Sequence, residues 1–357
     1  MLKLDRVSKY FKTGTFGGDL LPAVKQVSFE IGSGEVVSLI GESGSGKSTL
    51  GKMILRLIDI SSGSIYFEGR DISGIKGRAL RDYYRKVQGV FQDPFSSYNP
   101  IFRADRVLEM LRKNYFADLS DADWNRKVYS SLEAVGLNPA DVLNKFTHQL
   151  SGGQLQRILI ARALLMDIRL LVADEIISML DASTRVDVLN LLAQLKAKGL
   201  GVLFITHDLS LGNYISEKAV ILRRGVVLEM GATEKIFGNP QHSYTRSLLA
   251  AVPQLHKKWE VMGDEEKAEV ASAHRSPEGA AALARGNGGG QSRTGVAEAR
   301  QSPHLPWARR SRHGDHVLVE EEAERKAKRD TYLRTHEPVP ELVMVEEDHW
   351  VALEAAA

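Results

Sequence analysis

Cysteine is absent from the 357-residue chain. That excludes a disulfide framework, a thiolate metal site and a cysteine nucleophile. It fits a reducing compartment without demanding one. Long apolar runs are absent too. No stretch approaches the ~18 consecutive apolar residues of a bilayer-crossing helix, so no membrane span is expected. The opening MLKLDRVSKYFK lacks the apolar core of a secretory signal. Charge of one sign is not in excess either. The formal net charge is +2, too small to imply a nucleic-acid partner. What is present is ordinary for a globular protein: 43% hydrophobic and 26% charged residues. The length suggests about two domains and is enough to bury a sizeable core.

Charge divides unevenly. Residues 257–357 carry 15 Lys and Arg against 19 Asp and Glu, which leaves the first 256 residues with a net of +6. The stretch from about Gly263 to Asp330 reads least like a core. It holds the glycine tract Gly288–Gly290 and mixed charge runs such as Glu320–Arg329. Such composition buries little apolar area against its ordering entropy, and a flexible or partly helical insertion is expected there. From Pro338 to Leu353, Val343/Val345 and Val351/Leu353 alternate with polar neighbours, which predicts two short strands.

The first 250 residues read as α/β. Val36–Ile40, Leu170–Ala173 and Val202–Thr206 are apolar runs of buried-strand length. After the first of them, Leu50, Met53/Ile54 and Leu57/Ile58 recur at helical spacing. Val186 to Lys198 is helix-like, with Leu189, Leu192 and Leu195 on one side. Val220–Leu222 and Val226–Leu228 flank Arg223-Arg224-Gly225, which predicts a hairpin. Residues 103–149 read mostly as helices broken at Gly136, Asn138 and Pro139. There is no internal repeat.

Between the first strand and its helix lies Gly41-Glu42-Ser43-Gly44-Ser45-Gly46-Lys47-Ser48-Thr49. This is the phosphate-loop pattern, two glycines around four residues followed by Lys and Ser. Its glycines let backbone N–H groups turn toward a polyphosphate, and the helix N-terminus adds about half a positive charge. Lys47 is placed to reach the β- and γ-phosphates and the Ser48 hydroxyl to ligate Mg²⁺. Alone, the pattern says only nucleotide binding.

Six further stretches carry more. Leu150-Ser151-Gly152-Gly153-Gln154, continued by LQRILIARAL, resembles the signature sequence of ATP-binding cassette (ABC) ATPases. Asp174-Glu175, led in by four apolar residues, looks like the Walker B carboxylates. Ser178-Met179-Leu180-Asp181 resembles the D-loop, and His207 in Thr206-His207-Asp208 the switch histidine. Gln92, in VFQDPFSSYNP, stands where that family has its Q-loop glutamine. Tyr10 stands at the place of the adenine-stacking aromatic, with Phe11 as the other possible ring. The resemblance covers residues 1 to about 256. It implies a phosphate-loop NTPase core with an N-terminal antiparallel β subdomain and a helical signature subdomain, plus a C-terminal extension. The implied divisions are an ATPase domain over 1–237 (helical part about 93–160), an extension over 238–262, the insertion over 263–330 and a β segment over 331–357.

By that resemblance ATP and Mg²⁺ are the expected ligands. Asp174, Ser48 and Gln92 would serve the metal, Glu175 would polarise the attacking water, and His207 would hold the γ-phosphate. Ser151 and Gly153 would serve the nucleotide of a second ATPase subunit packed head to tail, identical or homologous, and Gly152, Gln154 and Asp181 are expected among the nucleotide-binding residues. The family usually has Pro and Thr after the Walker B glutamate, whereas Ile176 and Ile177 stand here and are expected to pack under the D-loop.

Gly238–Pro253, with His242, Tyr244 and Thr245, resembles the C-terminal extension of the oligopeptide/dipeptide importer branch, as does QDPFSSYNP. PVPELVMVEEDHWVAL resembles that branch's terminal segment, which often carries an iron–sulfur cluster. Without cysteine no such cluster is expected here. The branch also imports oligosaccharides or nickel, and the wording of QGVFQDPFSSYNP and ADEIISMLD leans toward the oligosaccharide relatives. The implied partners are two transmembrane permease subunits and, through them, an extracytoplasmic solute-binding protein, with the ATPase peripheral on the cytoplasmic face of the membrane. Two other readings remain. One is a soluble ABC ATPase acting on ribosomes or DNA, which the single cassette and lack of heptads disfavour. The other is a regulatory tail at the basic stretch His304–His313.

Overall fold

Val36-Val37-Ser38-Leu39-Ile40 offers apolar side chains to both sides, so a strand made of it must be covered on both faces. The computed structural model, which describes residues 1–12, 20–251 and 339–352, shows that cover. The chain begins with β1 (Leu2–Lys12), β2 (Leu20–Ile31), β3 (Val36–Ile40) and α1 (Lys47–Ile54). Next come β4 (Ser62–Phe67), β5 (Arg70–Asp71), α2 (Gly77–Lys86) and β6 (Val87–Val90). A helical stretch is next: α3 (Arg106–Tyr115), α4 (Asp121–Ala134), α5 (Pro139–Val142) and α6 (Gly152–Leu164). Then come β7 (Leu170–Asp174), α7 (Ala182–Ala197), β8 (Gly201–Thr206), α8 (Leu209–Ile215), β9 (Lys218–Arg223) and β10 (Val226–Ala232). After α9 (Thr233–Gly238) and α10 (Ser243–Ala250), the described chain resumes with β11 (Leu342–Glu346) and β12 (His349–Ala352).

Among the described residues these strands form two sheets. One has the order β2-β1-β4-β5 and is antiparallel; the other has the order β11-β12-β10-β9-β3-β8-β7-β6. The run from β9 to β6 is parallel, and β10, β12 and β11 continue it antiparallel. Successive residues of each central strand face opposite sides. Val37, Leu39, Val172, Leu203 and Ile205 join a core with Leu4, Val27 and Ile65 of the antiparallel sheet. Val36, Leu171, Ala173, Val202 and Phe204 join a second core with Trp124, Leu132, Leu155 and Leu192 of the helices. The strands therefore read as unbroken apolar runs.

Two local outcomes differ from the periodicity. The helix after the phosphate loop stops at Ile54. Arg56 turns left-handed at φ +54° and Leu57 is 54% exposed, so the Leu57/Ile58 repeat lies beyond it. Near the end of the chain both strands form, yet Val343 and Val345 are exposed, because β11 is the sheet's outer edge. The segment 263–330 and the basic stretch 304–313 lie outside the described residues, as do 252–262 and Leu353.

Candidate functional site at the ends of the parallel strands

In an open parallel sheet, ligands sit beyond the carboxyl ends of the strands. Ile40 pairs with Thr206, and Asp174 with Ile205, so β3, β8 and β7 end side by side. β6 lies against β7 with Val90 opposite Ala173. The segments leaving these strands are thereby gathered at one rim: the loop from Gly41 after β3, His207 after β8, Glu175 after β7 and the exposed Gln92 beyond β6.

Two glycines of the loop are required by close approach. A Cβ on Gly41 would collide with the carbonyl oxygen of Leu222, and one on Gly46, whose φ is +104°, with that of Ala23. The turn between β9 and β10 buttresses the loop, since the Gly225 N–H donates to the Ser45 carbonyl at 2.9 Å. Lys47 is buried. Its ammonium donates to the carbonyls of Gly41 at 2.6 Å and Glu42 at 2.7 Å, and the Ser45 hydroxyl lies 3.4 Å away. Burial lowers the Lys47 pKa, and the charges of Glu175, Asp174 and Glu42 oppose that shift. Ser43, Gly44 and Ser48 are exposed and Thr49 partly so.

Asp174 ends β7, buried. Desolvation raises its carboxyl above the usual range, and a hydrogen bond from Ser48 pulls it back down. Glu175 adopts φ +50°, the left-handed region that a non-glycine residue enters at a cost. Its N–H donates to the Ile205 carbonyl at 3.0 Å, and its carboxylate lies 3.0 Å from Nδ1 of His207. A carboxylate, an imidazole, an ammonium and a hydroxyl–carboxylate pair thus meet at one rim. Ile176 and Ile177 are buried beside Leu180, beneath the turn leading to Asp181.

The remaining predicted residues have local contacts of their own. Ser151 caps α6 by accepting from the Gln154 N–H at 3.2 Å, while the Gln154 side chain accepts from the Ser151 N–H at 2.9 Å. Gly153 faces Leu180, and Gly152 faces Phe95. Among the described residues no hydrogen bond joins 151–154 to the phosphate loop. Asp181 caps α7, and the hydroxyls of Ser183 and Thr184 with the Thr184 N–H hold its carboxyl far below the usual range. Tyr10 is half-buried opposite Pro22, next to the Ala23 that abuts Gly46. Phe11 is more exposed, under the Lys9 ammonium at 5.2 Å.

The residues fit a magnesium-bound polyphosphate. Ser48 and Asp174 offer oxygen donors of the kind a hard cation takes. Among the described residues no group of three or more His, Asp or Glu could hold a metal alone. A cation with so few protein ligands completes its shell with water and phosphate, as Mg²⁺ does.

Reading the sequence alone missed three contacts. The fully buried Gln156 donates to the Phe91 carbonyl at 3.0 Å, and the Tyr98 hydroxyl to that of Leu155 at 2.9 Å, so the Gln92 segment is fastened to α6. The Glu42 N–H donates to the hydroxyl of Tyr244 at 3.4 Å. The run around Tyr244 marks a branch of a family in sequence; nothing in it signals a contact with residue 42.

Comparison with known proteins gives the family. A family model described as ABC transporter matches residues 24–178, and one for the C-terminal region of oligopeptide/dipeptide transporters matches 228–281. A Brucella ovis protein described as a putative peptide import ATP-binding protein is 41% identical over 254 residues, covering 71% of this chain and 78% of that protein. An oligopeptide transport ATP-binding protein of Streptococcus pyogenes serotype M1 is 44% identical over 233 residues, covering 65% and 76%. A dimeric ATP-binding cassette solved in a post-hydrolysis state with ADP and phosphate has a TM-score of 0.60 at 30% identity, covering 65% of this chain and 99% of that one. The chain belongs to the ABC ATPase family of transport ATP-binding proteins, which hydrolyse ATP to power transport.

Proposed function

We propose that the chain is the nucleotide-binding subunit of an ABC importer for oligopeptides. The C-terminal match at 228–281 and the two peptide-transport relatives support the cargo class. Lys47 and the loop N–H groups from Gly41 to Thr49 hold the triphosphate, and Tyr10 stacks on the base. Ser48 and Asp174 hold Mg²⁺, with Gln92 touching its shell. Bound there, the ion neutralises charge on the transferring phosphoryl group. Glu175 acts as general base on the attacking water. His207 leaves the Glu175 carboxylate for a γ-phosphate oxygen and so frees the base. Ser151 and Gly153, with Gly152, Gln154 and Asp181, serve the nucleotide of a second ATPase subunit. The closing pair moves two membrane permeases, fed by an extracytoplasmic solute-binding protein, from the cytoplasmic face.

The observation that carries this reading is the 3.0 Å pairing of Glu175 with His207 beside Lys47 and the Ser48–Asp174 pair. Steady-state hydrolysis and nucleotide binding test it. Glu175→Gln should slow turnover ~10²–10⁴-fold, the scale of a general base, with ATP affinity retained. Lys47→Ala should abolish binding. Near-normal turnover in the first variant, or full affinity in the second, would refute the assigned roles. Uptake of labelled peptides by the assembled transporter, against oligosaccharides as the competing cargo, tests the substrate class.

Among the described residues no helix is long and apolar enough to cross a membrane. That fits a subunit acting on separate membrane chains.

A further inference from the structure

The Gly41–Glu42 peptide is held on both sides. Its carbonyl accepts the Lys47 ammonium at 2.6 Å, and its N–H donates to the Tyr244 hydroxyl at 3.4 Å. The Glu42 carboxylate lies near the same hydroxyl. Tyr244 is buried, and the Arg223 guanidinium lies over its ring at 4.5 Å. The residues before it fix its place. The Tyr244 N–H donates to Nδ1 of His242 at 3.0 Å. The N–H groups of Gln241 and His242 donate to the Glu229 carboxylate at 2.8 and 3.2 Å. Glu229 is fully buried on β10 and also meets Nε2 of the equally buried His349 at 2.7 Å.

A tyrosine 202 residues along the chain therefore reaches the first turn of the phosphate loop from a base bonded into the sheet. An amide plane whose N–H is fixed cannot rotate, so its carbonyl is fixed as well. We propose that Tyr244 is a positioning residue for the nucleotide. By holding the Glu42 N–H it fixes the carbonyl that presents Lys47, which makes the start of α10 part of the ATP site. The inference rests on the nucleotide-loop reading above and deepens it.

Tyr244→Phe in the full-length chain is the test, because it removes one oxygen and keeps the ring against Arg223. Losing one neutral hydrogen bond should weaken MgATP binding and raise KM about 3- to 10-fold. The turnover number should stay within about twofold, since Glu175, His207 and Asp174 are untouched. A packing role alone would change neither binding nor KM. Wild-type affinity and KM in Tyr244→Phe would overturn the inference while leaving the loop reading intact. Failure of the unaltered chain to bind MgATP would overturn both. Tyr244→Leu, which also loses the ring, should weaken binding at least as much; full affinity there would count against the proposal too.

Discussion

Asp174 shows a site residue working against stability. Its carboxyl is buried, and desolvation raises its pKa more than the Ser48 hydrogen bond lowers it. A raised pKa means that the folded chain favours the protonated acid. That contribution is whole below the ordinary value of ~3.9 and is lost as the pH rises through the raised value. At neutral pH the nucleotide-free chain therefore carries a penalty there. Asp174→Asn should raise the thermal midpoint by about 2–4 °C at pH 7.5. The gain should shrink below the raised value and vanish near pH ~4. Thermal unfolding of both proteins across pH checks this, and a lower midpoint for the variant at pH 7.5 would contradict it. The left-handed Glu175 is a comparable cost at the neighbouring position, since a non-glycine residue is held in a sparsely populated conformation. Neither cost was legible in the sequence. Asp-Glu after four apolar residues points to the carboxylates, but desolvation and φ are properties of the packed chain.

At the scale of elements, the central strands were legible because both of their faces are covered. Val36–Ile40 and Gly201–Thr206 are buried at every position, so apolar composition alone exposes them. β1 and β2 were not read from their residues. Left-handed Arg6 and Gln26 shift their register and break the alternation that marks a strand. Helix α6 carries two duties at its start, because Ser151 is both its N-cap and the residue proposed to serve the opposite nucleotide. The duties separate by substitution. Ser151→Ala loses the cap and should cost about 1 kcal/mol of stability, whereas Ser151→Asn keeps a capping oxygen and should stay within a few tenths of the wild type. Both should fail to dimerise with ATP in a Glu175→Gln background, as read by light scattering. Dimerisation of the asparagine variant would assign Ser151 to capping alone.

At the scale of the molecule, the last described strands belong to the first unit of the fold although residues 252–338 intervene. β12 pairs with β10 through Glu229–Val351, Met230–Trp350 and Gly231–His349. His349 closes over Glu229, and Lys235 reaches back to the Glu347 carbonyl. The alternating valines announced these strands, but which strand they would join was not legible, since no local pattern names a partner so far away in sequence. The hairpin acts as a ligand that the chain supplies to itself, and its tether sets a high effective concentration. A protease site placed at Gly288–Gly290 and cut in the folded protein should leave the two fragments eluting together on a sizing column. Dilution should then part them, because a clasp that was intramolecular has become a bimolecular equilibrium. Separation at high concentration would mean that Glu229 and β10 hold the hairpin too weakly. Co-elution would make this sheet edge a natural place to exchange one terminal peptide for another.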